Sequence, residues 1–305
     1  MSDLSTSVQP SAKQAVISVN IAVILFGLAG LFARWIRLPS ILITFGRVLF
    51  SSAALGIFLL IRKQRLKMER KDTVLALFAG IILSLHWWSF LESIKQSSVA
   101  VGTITFSSFP LFLVFLEPLV FHQRIEKRNV VLAIVILIGV LITMPEFSVD
   151  ERAFRGAVIG LVSALSYAVL TVVNKIISEK IGSIPTAFIE QATASVILLP
   201  FVLRSEVRPT VNYIMLLLLL GVITTAVAHT LFISSLKILP AQIAGICSSL
   251  ETVYGIIFAA LFLGEIPSVR EVIGAAVIIG AVMITQIRPA GSNSRNGQVR
   301  ETADD

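Results

Sequence analysis

Residues 248–286 read SSLETVYGIIFAALFLGEIPSVREVIGAAVIIGAVMITQ. Two apolar runs, at 240–263 and 269–287, flank a short polar break that contains Pro267. Each run is close to the roughly 20 residues that a helix needs to cross a hydrocarbon core of about 30 Å. The runs are apolar on all faces, which is typical of helices surrounded by protein or lipid. This stretch therefore predicts two transmembrane helices joined by a short loop.

The same pattern recurs along the rest of the chain. Of its 305 residues, 56% are hydrophobic and 14% are charged, and the mean hydropathy is +0.91. Soluble proteins carry about 25% charged residues, and no polar stretch here is long enough for a separate soluble domain. The polar ends, 1–14 and 288–305, are predicted to be disordered cytoplasmic tails. Helices are predicted at 15–34, 40–61, 73–94, 98–121, 129–144, 155–178, 184–203, 211–235, 240–263 and 269–287.

Lysine and arginine residues predict the orientation, because cytoplasmic loops are enriched in both. The break at 62–73 contains six of them and the break at 122–128 contains three. If both breaks are cytoplasmic, ten helices leave both termini in the cytoplasm. We therefore predict a multi-pass protein of the cell inner membrane. Because the basic residues lie in loops between apolar runs, the net charge of +7 does not indicate a nucleic-acid partner.

An internal repeat divides the apolar region in two. Residues 90–95 read FLESIK and residues 232–237 read FISSLK, and at this offset of 142 residues Ser107 aligns with Ser249 without a gap. A unit of five helices is odd, so the second copy enters the membrane from the opposite face, as in many transporters. The predicted fold is an all-α integral membrane protein of ten transmembrane helices in two inverted five-helix repeats. The copies are assigned to 15–144 and 155–287.

The chain resembles the EamA-type branch of the drug/metabolite transporter superfamily, most clearly over 248–286. In the first copy, His122 and Gln123 stand where the second has the family's Gly-Glu pair. The resemblance implies two EamA-like repeats around a central substrate cavity, in a family thought to move amino acids, metabolites, nucleotide sugars or drugs. The features that carry it are Gly264-Glu265, Gly274, Gly280, Arg47, Pro110, Gly160 and Tyr167.

Two charged residues within the predicted helices are the first functional candidates, since an ionisable group inside a membrane is costly. Arg47 in the second helix and Glu251 in the ninth lie at about the same depth. In one interpretation Arg47 binds a substrate carboxylate, and Glu251 takes up a proton or a cationic group. In the other, the two residues form an ion pair that only stabilises the bundle.

Two histidines and a tryptophan lie close to mid-membrane. His229 aligns with Trp87 under the repeat, one residue from His86. Histidine changes charge between pH 5 and 8, so both histidines are candidates for lining the cavity or for coupling to protons. The alternative is a neutral histidine that is hydrogen-bonded to a neighbouring helix. Trp87 is a candidate for an aromatic wall around the substrate.

Polar interruptions near the middle of the fourth and ninth helices complete the candidate site. They contain Ser107, Ser108 and Ser249, and polar groups at this depth are tolerated where they face protein or a wet cavity. The alternative is that these serines only allow close helix packing. The candidate substrate-binding residues are Arg47, His86, Trp87, Ser107, Ser108, Tyr167, Gln191, His229, Ser249 and Glu251.

The function predicted from the sequence is secondary transport by alternating access. The predicted partners are the lipid bilayer, a small organic solute (an amino acid, metabolite or drug, moved outwards) and a proton as a candidate coupling ion. No cofactor and no metal ion are predicted. The alternatives are a non-transporting scaffold or sensor and an intramembrane enzyme. The enzyme is disfavoured because the sequence contains no HExxH motif, no GxSxG motif and no paired intramembrane aspartates. An ATP-driven pump is disfavoured because the sequence contains no Walker A motif.

Overall fold

A computed structural model of the chain describes residues 11–64, 66, 68–97, 99–143, 151–264 and 266–287. The regular secondary structure within these ranges is entirely helical. The α-helices are α1 Ala12–Trp35, α2 Ser40–Ile61, α3 Arg70–Gln96, α4 Val99–Phe106, α5 Phe109–Phe121, α6 Lys127–Thr143, α7 Glu151–Ile181, α8 Ser183–Leu203, α9 Val211–Leu219, α10 Ala228–Leu236, α11 Ala241–Ser248, α12 Leu250–Leu263 and α13 Val269–Ile287. A π-helix, Leu220–Val227, joins α9 to α10.

These helices form membrane-length segments. Nine segments of the described chain are long and apolar enough to cross a membrane, and the shortest has 18 residues. The remaining predicted helix is α6, which has 17 residues and packs along α13, one of the nine. The prediction of an all-α integral membrane protein is therefore confirmed, with nine clear spans and α6 as the tenth.

The packing of the helices follows the internal repeat. The contact between α3 and α7 is matched by the contact between α10 and α1, which are the equivalent helices of the opposite copies. The contacts of α4 and α5 with α7 are likewise matched by those of α11 and α12 with α1. Each pair maps onto another when the two copies are exchanged. Because each copy contributes five membrane segments, the second is inverted relative to the first, as predicted.

The fourth and ninth predicted helices are interrupted rather than continuous. Ser107 and Ser108 separate α4 from α5, and Ser249 separates α11 from α12. The amide of Ser108 donates to the Thr105 carbonyl at 3.2 Å, and that of Ser249 donates to the Ile246 carbonyl at 3.2 Å. Such bonds over three residues form a tighter turn than an α-helix. The two interruptions occupy equivalent places in the repeat.

The ends of α5 and α12 adopt the same backbone conformation in spite of their different sequences. His122 follows α5 with a φ of 54°, and Gly264 follows α12 with a φ of 69°. A left-handed residue commonly ends a helix, and glycine adopts this conformation without a steric penalty. The histidine in the first copy therefore preserves the turn. Glu265 lies outside the described residues.

Some helix boundaries differ from the prediction. Helix α1 begins at Ala12 because Ser11 and Gln14 form a capping box, with reciprocal hydrogen bonds of 3.2 and 2.7 Å. The residues just before 15, which we predicted to be disordered, are therefore helical. Helices α3 and α7 also extend beyond their predicted ends. The rest of the predicted tails, 1–10 and 288–305, lies outside the described residues.

The π-helix was not predicted. It brings the membrane segment formed by α9, the π-helix and α10 close to α2. Thr225 Oγ1 donates to the Leu220 carbonyl, five residues earlier, at 3.0 Å. A Cβ atom at Gly221 would lie 2.8 Å from the carbonyl oxygen of Arg47, so only glycine permits this approach. Single π-helical turns occur frequently at functional sites. Here the π-helix lies directly against the arginine of α2.

Candidate substrate cavity

A cavity of about 490 Å³ lies between the two repeats. This volume falls within the range of about 300–1,000 Å³ that is usual for small-molecule sites. The cavity extends from mid-membrane to Gly30, Ile94, Leu263 and Glu271. These residues lie where α1, α3 and α12 end and where α13 begins. All four positions are at the same membrane face, so the cavity extends towards that face.

The opposite face is closed by hydrogen bonds around Glu117 in α5. This carboxylate accepts from the amide of Ala241 at 2.7 Å and from that of Gln242 at 2.8 Å, at the start of α11. A negative charge is favourable at a helix N-terminus. Lys175 lies 3.6 Å from Glu117 and donates to the Leu239 carbonyl at 2.8 Å. These bonds join α5, α7 and α11 at the face where α1 begins.

All ten candidate residues from the sequence lie in the described part of the chain, and two of them do not line the cavity. Ser108 Oγ donates to the Thr105 carbonyl within its own helical turn, at 2.6 Å. Gln191 accepts a hydrogen bond from Ser51, between α8 and α2. Both residues lie at suitable depth but on other helix faces. The residues in the cavity wall are Arg47, His86, Trp87, Ser107, Tyr167, His229, Ser249 and Glu251, and their binding of substrate stays a prediction.

The guanidinium group of Arg47 is held by two other parts of the protein. Its Nε donates to Thr225 Oγ1 of the π-helix at 3.2 Å. Its Cζ lies 3.9 Å from the centre of the Trp87 ring, in cation–π geometry. Glu251 lines the same cavity and attracts Arg47 electrostatically, but these two described side chains form no ion pair. The cavity thus contains opposite charges that do not neutralise each other directly.

His86 connects α3 to α7. Its Nδ1 lies 2.9 Å from Ser163 Oγ and 3.1 Å from the Ser163 carbonyl oxygen. Its ring stacks on that of Tyr167, with 4.5 Å between the ring centres. His86 therefore lies in the cavity wall and also has the hydrogen bond to a neighbouring helix that was given as the alternative. Its role in substrate binding or proton coupling stays a prediction.

His229 pairs with a carboxylate that is not among the ten candidate residues. Its Nε2 lies 2.8 Å from Oε2 of Glu190 in α8, and both residues are completely buried. The imidazole ring also lies close to Trp87, with 5.8 Å between the ring centres. His229 and Trp87 are equivalent in the repeat, so they meet where the two copies face each other. An intramembrane charge at plausible depth was the available sequence signal for Glu190.

Two phenylalanines of the aromatic wall were missing from the sequence prediction, which gave Trp87 as the candidate for that wall. Phe106 and Phe109 flank the interruption between α4 and α5, with 5.1 Å between their ring centres. Each also packs against Tyr167, at 5.6 and 5.0 Å. The chain contains 19 phenylalanines, and the sequence alone does not distinguish those in the cavity from those that face lipid.

Comparison with known proteins places this architecture in a family. The model of the EamA-like transporter family matches residues 13–144 and 154–287, one match for each repeat. The chain belongs to the EamA-like transporter family. A crystal structure that is 18% identical in sequence has the same fold, with a TM-score of 0.77 over 91% of this chain and 98% of that one.

Curated relatives of this EamA-like protein are named as transporters. An uncharacterized transporter of Bacillus subtilis is 25% identical, over 92% of this chain and 93% of its own. An S-adenosylmethionine uptake transporter of Rickettsia bellii is 26% identical, with coverages of 81% and 84%. A pseudopaline exporter of Pseudomonas aeruginosa is 24% identical, with coverages of 77% and 83%. The protein is therefore a multi-pass membrane transporter of a small molecule.

Proposed function

We propose that the protein is a secondary transporter for a zwitterionic, amino-acid-like solute and works by alternating access. The observation that carries this proposal is the placement of Arg47 and Glu251. These opposite charges line one cavity without an ion pair between them. Charged groups within a membrane are expensive unless they have partners. A solute that carries both charges supplies a partner to each residue.

The remaining groups of the cavity suit such a solute. The Nε atom of Arg47 already donates to Thr225, so the two terminal NH₂ groups are the ones that face a solute. Together they form a planar pair of donors that matches a carboxylate. The Glu251 carboxylate then accepts from the solute ammonium group. The Ser249 hydroxyl is buried in the cavity wall with no hydrogen-bond partner in the described chain, which leaves it free for a polar atom of the solute. The aromatic wall accommodates an apolar side chain.

The names of the relatives support this class of solute. S-Adenosylmethionine, which gives the Rickettsia bellii relative its name, itself contains an α-amino-acid group. The relatives include one transporter named for uptake and one named for export. Export by this protein therefore stays a prediction. The inner membrane and the cytoplasmic termini stay predictions from the lysine and arginine distribution. In that orientation the cavity extends towards the outside.

Transport assays in proteoliposomes test the proposal. The panel contains amino acids, amines that lack the carboxylate, and carboxylic acids that lack the amine. We expect transport of the amino acids alone, and a loss of roughly 100-fold in Arg47→Gln or Glu251→Gln, since each change leaves a buried solute charge unpaired. Arg155→Gln and Glu151→Gln are matched controls, because these two residues form an exposed pair on the surface of α7. Equal transport of all three classes, or equal losses in the controls, would overturn the proposal.

A further inference from the structure

We propose that Glu190 and His229 form a proton-binding site beside the cavity, through which protonation controls solute binding at Arg47. The coupling to solute rests on the proposed function, whereas the proton site itself does not. The site consists of a carboxylate on α8 and an imidazole on α10, joined by a hydrogen bond of 2.8 Å. Both side chains are fully buried.

The charge of the pair favours the binding of one proton. An ionised Glu190 beside a neutral His229 leaves a net charge of −1 in a site without solvent contact. A buried charge is costly when nothing compensates it, and a single proton on either residue removes the net charge. In the described part of the chain, Glu190 forms its ion pair with His229. The pair therefore has two states, which differ by one proton and one unit of charge.

The unused atoms of the pair distinguish it from a purely structural contact. Glu190 Oε1 and His229 Nδ1 are buried and have no hydrogen-bond partner in the described chain. The side chain of Asn174 in α7 lies beside the Glu190 carboxyl group, near enough to interact with it, although neither amide atom meets the geometry of a hydrogen bond. Buried polar groups are nearly always satisfied, so such a cluster is unusual. It leaves polar atoms available on both members of the pair to bind or release a proton.

His229 links this interior cluster to the cavity. Its side chain is part of the cavity wall, whereas Glu190 lies behind it. One ring nitrogen, Nε2, faces the carboxylate, and the other, Nδ1, has no partner. An imidazole that carries a proton on one nitrogen becomes a cation when its other nitrogen is protonated. A proton from the cavity can thus bind at Nδ1, and the imidazolium that forms keeps its Nε2 hydrogen bond to the Glu190 carboxylate.

The pair is close to the group that we expect to bind the solute carboxylate. Thr225, which holds Arg47, lies one helical turn before His229. The centre of the Trp87 ring lies 3.9 Å from Cζ of Arg47 and 5.8 Å from the centre of the His229 ring. The negative charge of the unprotonated pair attracts the guanidinium group and repels a carboxylate beside it. Proton binding removes the negative charge that competes with the solute carboxylate for Arg47, so the proton and the solute bind cooperatively.

Other ionisable groups face the pair and contribute to its electrostatics. His86 from α3 interacts electrostatically with His229, and Tyr167 from α7 does so with Glu190, whereas Arg47 from α2 and Glu251 from α12 line the cavity on the other side of His229 and Trp87. Arg47 and Glu251 carry opposite charges. His86 is held by Ser163 and does not contact Glu190. Cooperative binding of a proton and solute also has a directional consequence, because an inward proton gradient then drives uptake rather than the export predicted above.

Fluorescence of Trp87 tests the proton site without any solute. The protein is purified in lipid nanodiscs with Trp35→Phe and Trp88→Phe, which leaves Trp87 as the single tryptophan. An imidazolium ion quenches a nearby indole, so we expect emission to fall in a one-proton transition between pH 9 and pH 5. Glu190→Gln, which has the same shape, and His229→Gln are both expected to lose this transition. His122→Asn is the matched control, because His122 lies at the exposed end of α5 and Asn tolerates its left-handed backbone.

Three results would overturn the proton site. They are a missing transition in the parent protein, a transition that persists in Glu190→Gln and His229→Gln, and a transition that is lost only in His86→Gln. An unchanged elution profile shows that each variant is folded.

The coupling is tested separately in proteoliposomes with a radiolabelled amino acid. An imposed proton gradient is expected to increase uptake about fivefold or more in the parent protein and not at all in Glu190→Gln. Uptake that ignores the gradient, together with an intact fluorescence transition, overturns the coupling alone. Absence of any solute movement, with the transition intact, overturns the proposed function and leaves the proton site standing.

Discussion

At the scale of single residues, Arg47 shows why geometry matters in addition to charge. Its Nε is bound to Thr225 and its planar face lies on Trp87, so the group is oriented before any solute arrives. A lysine at this position keeps the charge but offers neither the planar fork nor the same stacking on tryptophan.

Arg47→Lys is therefore expected to weaken amino-acid transport. We expect an increase in KM of roughly tenfold, because a point charge replaces a fixed pair of donors. Concentration-dependent uptake in proteoliposomes measures it, and Arg155→Lys on the surface of α7 is the control. A KM equal to that of the parent protein would show that charge alone is recognised at this site.

The sequence predicted which residues lie at mid-membrane better than it predicted which of their side chains face the cavity. Charged and imidazole groups are rare in membrane helices, so Arg47, His229 and Glu251 were recognisable from composition and depth alone. Neighbouring helix residues point about 100° apart, and a small error in the rotation of a helix therefore changes which residue faces the cavity. Gln191, which was named as a candidate, instead contacts Ser51 of α2, and its neighbour Glu190 forms the pair with His229.

At the scale of secondary-structure elements, the π-helix between α9 and α10 was the feature that the sequence did not reveal. Residues 211–235 form a continuous apolar run without proline, which predicts an uninterrupted α-helix. Tertiary packing favours the wider turn, because Thr225 bonds both to Leu220 and to Arg47. The interruptions at Ser107 and Ser249 were easier to anticipate, since they are polar and related by the repeat.

Gly221→Ala tests the role of the π-helix. The added Cβ would lie 2.8 Å from the Arg47 carbonyl oxygen and 2.8 Å from Phe50 Cβ, so α2 must move. We expect weaker solute binding although Gly221 is not part of the cavity wall, and a KM increase in the uptake assay measures it. Gly280→Ala is the control, because no atom lies within 4 Å of its added Cβ. Unchanged transport in Gly221→Ala would separate the π-helix from the function.

At the scale of the whole molecule, the inverted repeat explains why one face is closed while the cavity extends to the other. The closing contacts of Glu117 join α5, α7 and α11 at the face where α1 begins. A second copy inserted in the opposite direction allows the equivalent helices to exchange these roles, which is the basis of alternating access. The repeat was predictable because residues 90–95 and 232–237 align without a gap. The hydrogen bonds that close one face depend on tertiary contacts and were not predictable.

The predicted orientation is tested by labelling in intact cells. Cys247 is buried, and Cys247→Ser leaves a chain without cysteine. In this background Ile266→Cys, between α12 and α13, is expected to react with a membrane-impermeant maleimide, because Ile266 is 93% exposed at the predicted outer face. Gln64→Cys, between α2 and α3, is expected to react only after the cells are permeabilised. The reverse pattern would place the termini outside the cell.

Counterflow in proteoliposomes tests alternating access around a zwitterion-binding cavity most directly. Vesicles are loaded with an unlabelled amino acid and diluted into a trace amount of the labelled form. The account predicts transient accumulation of label above equilibrium in the parent protein and in Arg155→Gln, and none in Arg47→Gln or Glu251→Gln. Label that enters only to equilibrium, or that accumulates equally in all four proteins, would contradict it.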